Sequence, residues 1–384
     1  MWTIDPNVAE SLRHPRRITS HALFTNLVTG AATPLPILDG TVTEDVTTAT
    51  RRVLDLTTLP RIPVAGQIVD VFTLLDTPGG EITVTQTIWY GTTGVVVPQG
   101  VFIVDSDNVD YSDAGTVTIT APDRRNKVIR NKFGNARSSV ATNAAWQEIK
   151  RLVEGAWPGT TYPFPGWSQL DTSATAKVGT LLWDDGDRDG AVQAIEKANS
   201  VEQYFDRQGF AVLRPTPVLT PSSTPVWTVD ANTPTAIMTA ASRSRDMSTV
   251  VNAVRVSTSA SDVIFTPVEV KNTTPGDPLN VTGPLGTVFT DYDSPLLRSS
   301  AQATAAGRTQ LSKQLGEAKQ LTLAAMSNPA LDAEDVIQVM LPRLDRTTSR
   351  PVELHIIDSI THPLVPGTDQ QITTRSTRPA TDGT

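Results

Sequence analysis

The chain contains no cysteine, which excludes disulfides and thiolate metal sites as sources of stability. Aromatic residues make up only 5% and charged residues 19% of the 384 positions, so the core must be built mainly from aliphatic side chains. No apolar run approaches the roughly 18 residues needed to cross a bilayer, and no membrane segment is expected. The first residues, MWTIDPNVAESLRHPRR, lack the basic-then-apolar layout of a secretory signal, so synthesis in a cytoplasm is expected. A basic stripe is missing as well. Lys and Arg number 32 against 40 Asp and Glu, a formal charge of −8, and the densest basic stretches, Arg13–Arg17 and Arg124–Lys132, are short and interrupted. Proteins that grip nucleic acid neutralise its phosphates; this balance argues against that function.

The common catalytic signatures are absent too. No GxSxG, P-loop, GxGxxG or HExxH occurs. His14, His21, His355 and His362 are scattered, none with a second ligand at zinc spacing. No catalytic, cofactor-binding or metal residue is therefore assigned, and no cofactor is expected. Two patterns qualify that reading. Asp185-x-Asp187-x-Asp189-Gly190-x5-Glu196 matches a calcium loop, although its upstream residues make a poor entering helix and aspartates at a helix start are also favoured by capping and the helix dipole. The aromatic run Trp157–Trp167 suits either a sugar platform or loop packing.

What is present points to β-structure. The 39% apolar fraction is rich in Val and Ile, Thr is abundant, and 28 Pro and 24 Gly punctuate the chain. β-branched residues lose little on a pleated strand. Asp5-Pro6 and His14-Pro15 bracket a short N-terminal helix within residues 1–17. From Ile18 to about residue 125 the period is two. Asp39-Gly40 reads as a hairpin turn, Pro98–Gly100 as another turn, and Ile82–Tyr90, GVFIVDS and Thr116–Thr120 as strands. Residues 126–234 are mixed. A helix is expected in SSVATNAAWQEIKRLVEGA, then a second helix from Gly190 running into a hairpin whose strands, VEQYF and FAVLR, are joined by Asp206-Arg207-Gln208-Gly209. After a Pro/Ser/Thr-rich crossing, residues 235–365 return to strands, with one long helix expected from about Ser299 to Ser327. Residues 366–384 are expected to form a flexible tail.

Four segments in this order carry a resemblance. They are DGTVTEDVTTATRRVLDLTT, the helix and hairpin AIEKANSVEQYFDRQGFAVLRP, the strand SRDMSTVVNAVRVS, and an Ala/Gln/Leu helix leading into NPALDAEDVIQVMLP. Together, from about Ile18 to Ile360, they resemble the tail-hub (baseplate hub) proteins of long-tailed bacteriophages and contractile injection systems. The resemblance implies a β-dominated α+β fold in which two β-barrel-like domains flank an inserted α/β domain. It further implies a structural, non-enzymatic virion protein: a homotrimer at the tail tip, assembled in the host cytoplasm, whose six barrels join the sixfold tail tube to a threefold tip. The implied partners are the distal tail protein, the tail tube protein, tip, fibre or central spike proteins and the C-terminus of the tape measure protein, with DNA only in transit through the channel. Many such proteins continue into a peptidase or lysozyme module; this chain stops at Thr384, so the hub role is expected without wall-degrading activity. The alternatives are a receptor- or carbohydrate-binding tail-tip protein and, behind it, a cell-wall polysaccharide hydrolase.

Overall fold

Alternating apolar residues set the strands, and their inward phase sets which strands can share a sheet. In a computed structural model, Leu54, Leu56 and Thr58 of the strand Arg52–Thr58 are buried while Asp55 points to solvent. This strand pairs with Asp39–Asp45, Val42 opposite Leu54, and with Val117–Pro122, Ile119 opposite Leu56. The structure describes all residues except 15, 65, 77–79, 111–114, 160–161, 184–185, 219, 221–222, 232–234, 245–249, 318–319, 343–351 and 377–384.

The same sheet continues a long way in space. Asp39–Asp45 pairs with Val352–Pro363, which pairs in turn with Gln370–Ser376, then Gln320–Ala325, then Met238–Ser244. Ser106–Val109 forms the opposite end, and Val336–Met340 with Trp227–Asp230 branches from Val352–Pro363 to complete ten strands. Thus early and late parts of the chain share one sheet, and the Thr43 and Thr361 hydroxyls meet across it at 3.2 Å. A separate four-stranded sheet runs Ala32–Leu35, Arg17–Thr25, Glu81–Tyr90, Thr93–Ile103. With 42% strand against 17% helix the protein is β-dominated; among the described residues no sheet closes into a barrel.

Among the described residues six helices accompany the sheets: α1 (Pro6–Ser11), α2 (Val71–Leu75), α3 (Arg125–Arg130), α4 (Ala145–Glu154), α5 (Arg188–Asn199) and α6 (Ser300–Glu317). α1 has the expected cap, Asp5 accepting from the Asn7 amide with Pro6 at its start. α5 is capped by Asp187, which accepts from the Gly190 amide at 2.7 Å, and leads directly into the hairpin strands Val201–Phe205 and Ala211–Pro215. Three apolar clusters form among the described residues. Phe24, Leu54, Ile82, Phe102 and Ile119 make one, and Val8 of α1 and its C-cap Leu12 join Leu321, Ile337 and Ile360 in a second. The third runs across residue 234, packing Ile149 and Leu152 of α4, Ile195 of α5 and Phe205 against Val254, Leu311 and Leu315.

Four expectations change. Asp39-Gly40 is not a hairpin turn; it opens a strand whose sequence predecessor, Ala32–Leu35, pairs with Arg17–Thr25 instead. A Cβ at Gly40 would lie 2.7 Å from the Asp55 carbonyl oxygen, so glycine there permits close strand approach. Pro98–Gly100 is likewise a bulge inside Thr93–Ile103: Val84 faces Gly100 and Thr85 faces Pro98, leaving Gln99 extra. The long helix ends at Glu317, and Gln320–Ala325 is a strand. Leu321 and Ala325, four apart, share a face in either structure; buried Leu323 belongs to the strand period alone. Finally, the expected tail contains the strand Gln370–Ser376, paired on both sides.

Candidate functional site

Where the first β-region, the hairpin and the loop before Val336–Met340 meet, charged side chains gather in the interior. Arg52 lies at the inward phase of its strand, and Arg51 directly precedes it. Arg51 donates from Nε to Glu44 Oε1 at 2.7 Å, from Nη1 to Glu334 Oε2 at 2.9 Å and from Nη2 to the Ala333 carbonyl at 2.8 Å. Arg52 reaches Glu44 at 2.8 Å, Asp332 at 3.1 Å and the Phe205 carbonyl at 2.7 Å. From the hairpin, Arg207 is bound by Asp332 and by the Pro329 and Leu331 carbonyls, while Arg214 pairs with Glu202 at 2.6 Å and with Glu334. Tyr204 lies between two guanidiniums, Arg51 at 4.0 Å and Arg214 at 5.0 Å. The N-terminal ammonium closes the set on Asp335.

Burial and mutual proximity push these carboxyls apart in acidity. Burial raises Glu202 to about 7, with the Glu334 charge adding to the effect. Burial opposes ionisation at Glu334 too, but Arg51 and Arg214 outweigh it and hold that carboxyl down at about 2. Asp332 is likewise held well below the usual range by Arg207 and Arg52. Glu334 adopts a left-handed backbone, φ 68°, without being glycine, a conformation that persists only where surroundings enforce it. A cleft of about 530 Å³ borders the junction, lined by Arg51, Glu202 and Tyr204 together with Lys197 of α5 and Lys313 of α6. The acids are occupied by arginines, so the arrangement suits a lock holding three chain segments in register.

The calcium-loop pattern is used differently from what its spacing suggests. Asp185 lies outside the described residues. Asp187 caps α5; Asp189 accepts from Arg125 Nε at 2.6 Å and from Gln193 at 2.6 Å; Glu196 accepts from Arg125 Nη1 at 3.3 Å and from the Gln203 amide at 2.8 Å. The buried Arg125 thus bridges two of the pattern's carboxylates, tying α3 to α5 and the hairpin. Among the described residues no cluster of three potential metal ligands is found. The aromatic run packs inward: Trp157 is buried and meets Phe164 edge-on at 5.3 Å and Phe205 at 5.7 Å. Trp167 donates to Glu154 at 2.9 Å. His355 and His362 are buried on Thr374 and Gln370, and His14 and His21 are exposed.

Parts of the basic stretches are spent on internal ion pairs. Arg13 pairs with Asp230 at 3.1 Å, Arg124 with Glu81 at 2.6 Å. Sequence reasoning missed the junction itself, although one signal was available: Arg52 stands in phase with Leu54 and Leu56, where an apolar residue belongs.

No protein-family profile matches the chain, and no curated relative does. Solved structures do match along nearly its whole length. A tail protein from Neisseria meningitidis MC58 superposes with a TM-score of 0.62 at 13% identity, covering 93% of this chain and 96% of that one. The 43 kDa tail protein of prophage MuSo2 from Shewanella oneidensis gives 0.61 at 10% identity, with 95% and 100% covered. An E. coli component of the type VI secretion system, described as similar to T4 bacteriophage tail proteins, gives 0.50 at 9% identity, with 97% and 80% covered. The order of motifs from Ile18 to Ile360 and the three-dimensional likeness agree: this chain has the fold of these phage tail proteins and of the type VI secretion component similar to them.

Proposed function

We propose that the protein is a structural component of a tail tip, a homotrimeric hub that joins a sixfold tail tube to a threefold tip. The observation that carries this reading is the end-to-end match to phage tail proteins, which leaves neither chain with a large unmatched part. On this reading residues 18–125 and 235–365 supply two barrel-like units per chain and residues 126–234 are the insertion, with 1–17 and 366–384 as terminal segments. The long sheet supports assembly between copies. Its end strand Met238–Ser244 is solvent-exposed almost throughout and paired on one side only among the described residues, an edge that natural proteins ordinarily guard. Distal tail, tube, tip and tape measure proteins are the partners this position calls for. Tripling a charge of −8 favours a lumen that DNA traverses without sticking.

The carbohydrate-binding alternative has less support, because the Trp157–Trp167 aromatics are spent on packing. Negative-stain images of the purified protein test the proposal: threefold rings are expected, and Ala241→Lys on the open edge should abolish them with melting unchanged. Isolated particles without threefold symmetry, combined with binding to host cells, would favour the alternative.

A further inference from the structure

Away from the junction, Arg16 meets no acid among the described residues. Arg16, just after α1, donates from Nη1 to the Leu12 carbonyl and, at 3.3 Å, to the His14 carbonyl, and from Nη2 to the Ser327 carbonyl. These are neutral acceptors. Its Nε has no hydrogen-bond partner, and no described carboxylate lies within ion-pair distance. Its neighbour Arg13, by contrast, has Asp230. Burial without a counter-charge draws the Arg16 guanidinium down to about 10.

Arg16 lines a pocket of about 320 Å³ whose walls include Ile18, Met326, Pro363 and Leu364. Two further wall residues are incompletely satisfied. Gln86, 1% exposed, spends its amide nitrogen on Ser20 Oγ at 3.1 Å and the Pro363 carbonyl at 2.9 Å, and its Oε1 accepts nothing; the Ser327 hydroxyl is also unpartnered. Asp369 stands at the mouth, exposed, with its Oδ2 accepting from the Thr239 hydroxyl at 2.7 Å.

We propose that this pocket receives the carboxylate of an acidic side chain carried by a partner polypeptide. A guanidinium held on carbonyls gains most from a carboxylate, since charge-assisted bonds are roughly twice as strong as neutral ones. The apolar walls suit the methylene stem of a glutamate and the chain beside it, and the volume exceeds what a bare small anion fills. The claim stands apart from the hub reading, since it rests on Arg16 and its surroundings alone.

The full chain, immobilised, is exposed to a pool of capped pentapeptides with a central Glu and flanking Ala, Leu and Thr, and to the same pool with a central Gln. Retention of the Glu pool should exceed the Gln pool by about tenfold, the ratio expected of one charge-assisted contact. It should fall with added salt, and it should be lost in Arg16→Gln. Because Arg16 also ties Leu12 to Ser327, Thr368→Trp serves as a second variant, blocking the mouth from an exposed position with folding checked by melting. Equal retention of both pools, no retention of either, or retention unchanged in Thr368→Trp would overturn the proposal. Free N-acetylglutamate competing as well as the peptides would overturn the polypeptide source.

Discussion

The side chains that matter most are charged and inside. Glu44 is 1% exposed and holds two arginines on one oxygen, so removing either partner strands charge in the interior. Arg52→Met should destabilise the fold by about 3–5 kcal/mol, the cost of breaking a buried pair, read from urea unfolding; a loss below ~1 kcal/mol would mean the pair is solvated in solution. Glu202 and Glu334 give the junction a pH signature. Glu202 has its folded value raised from 4.5 to about 7, so its contribution is complete below 4.5 and disappears as pH rises towards 7. Glu334 is lowered to about 2; its contribution is present above 4.5 and disappears as pH falls towards 2. Glu202→Gln should therefore flatten the decline in stability between about pH 5 and 7, while a slope identical to the parent would remove Glu202 as its source.

Among the elements, the hairpin after α5 shows what local chemistry makes legible. Asp206 accepts from the Gln208 and Phe210 amides, each at 2.9 Å, and Gly209 sits at φ +79°. A Cβ there would also lie 2.9 Å from Val101. Gly209→Val should cost about 1–3 kcal/mol in thermal unfolding; unchanged melting would contradict the turn. α6 teaches the converse. Propensity alone makes Gly307→Ala stabilising by about 1 kcal/mol, yet an added Cβ would approach Val270 at 2.8 Å and Val256 at 2.9 Å. The glycine lets α6 lie close on the strands Ala253–Ser257 and Val268–Lys271, so Gly307→Ala should yield no gain in Tm. The end of α6 was not legible because Leu321 and Ala325 satisfy both periods. The turn at Asp39-Gly40 was misread because the same glycine also suits close strand approach.

At the scale of the whole molecule, the order of elements was legible and their long-range pairing was not. Nothing local to Val352–Pro363 announces that it lies beside Asp39–Asp45, more than 300 positions away, and nothing in Arg51 or Arg207 names the acids they meet. Pairings of that kind are fixed by complementary faces only once the chain is folded. The three apolar clusters and the ionic junction hold together segments far apart in sequence; on the proposed reading, copies join at Met238–Ser244, which is paired on one side only among the described residues. Native mass spectrometry of the purified full chain tests that assembly most directly. A species at three times 41.2 kDa is the predicted result; a lone 41.2 kDa monomer at the highest concentration the protein tolerates would contradict it.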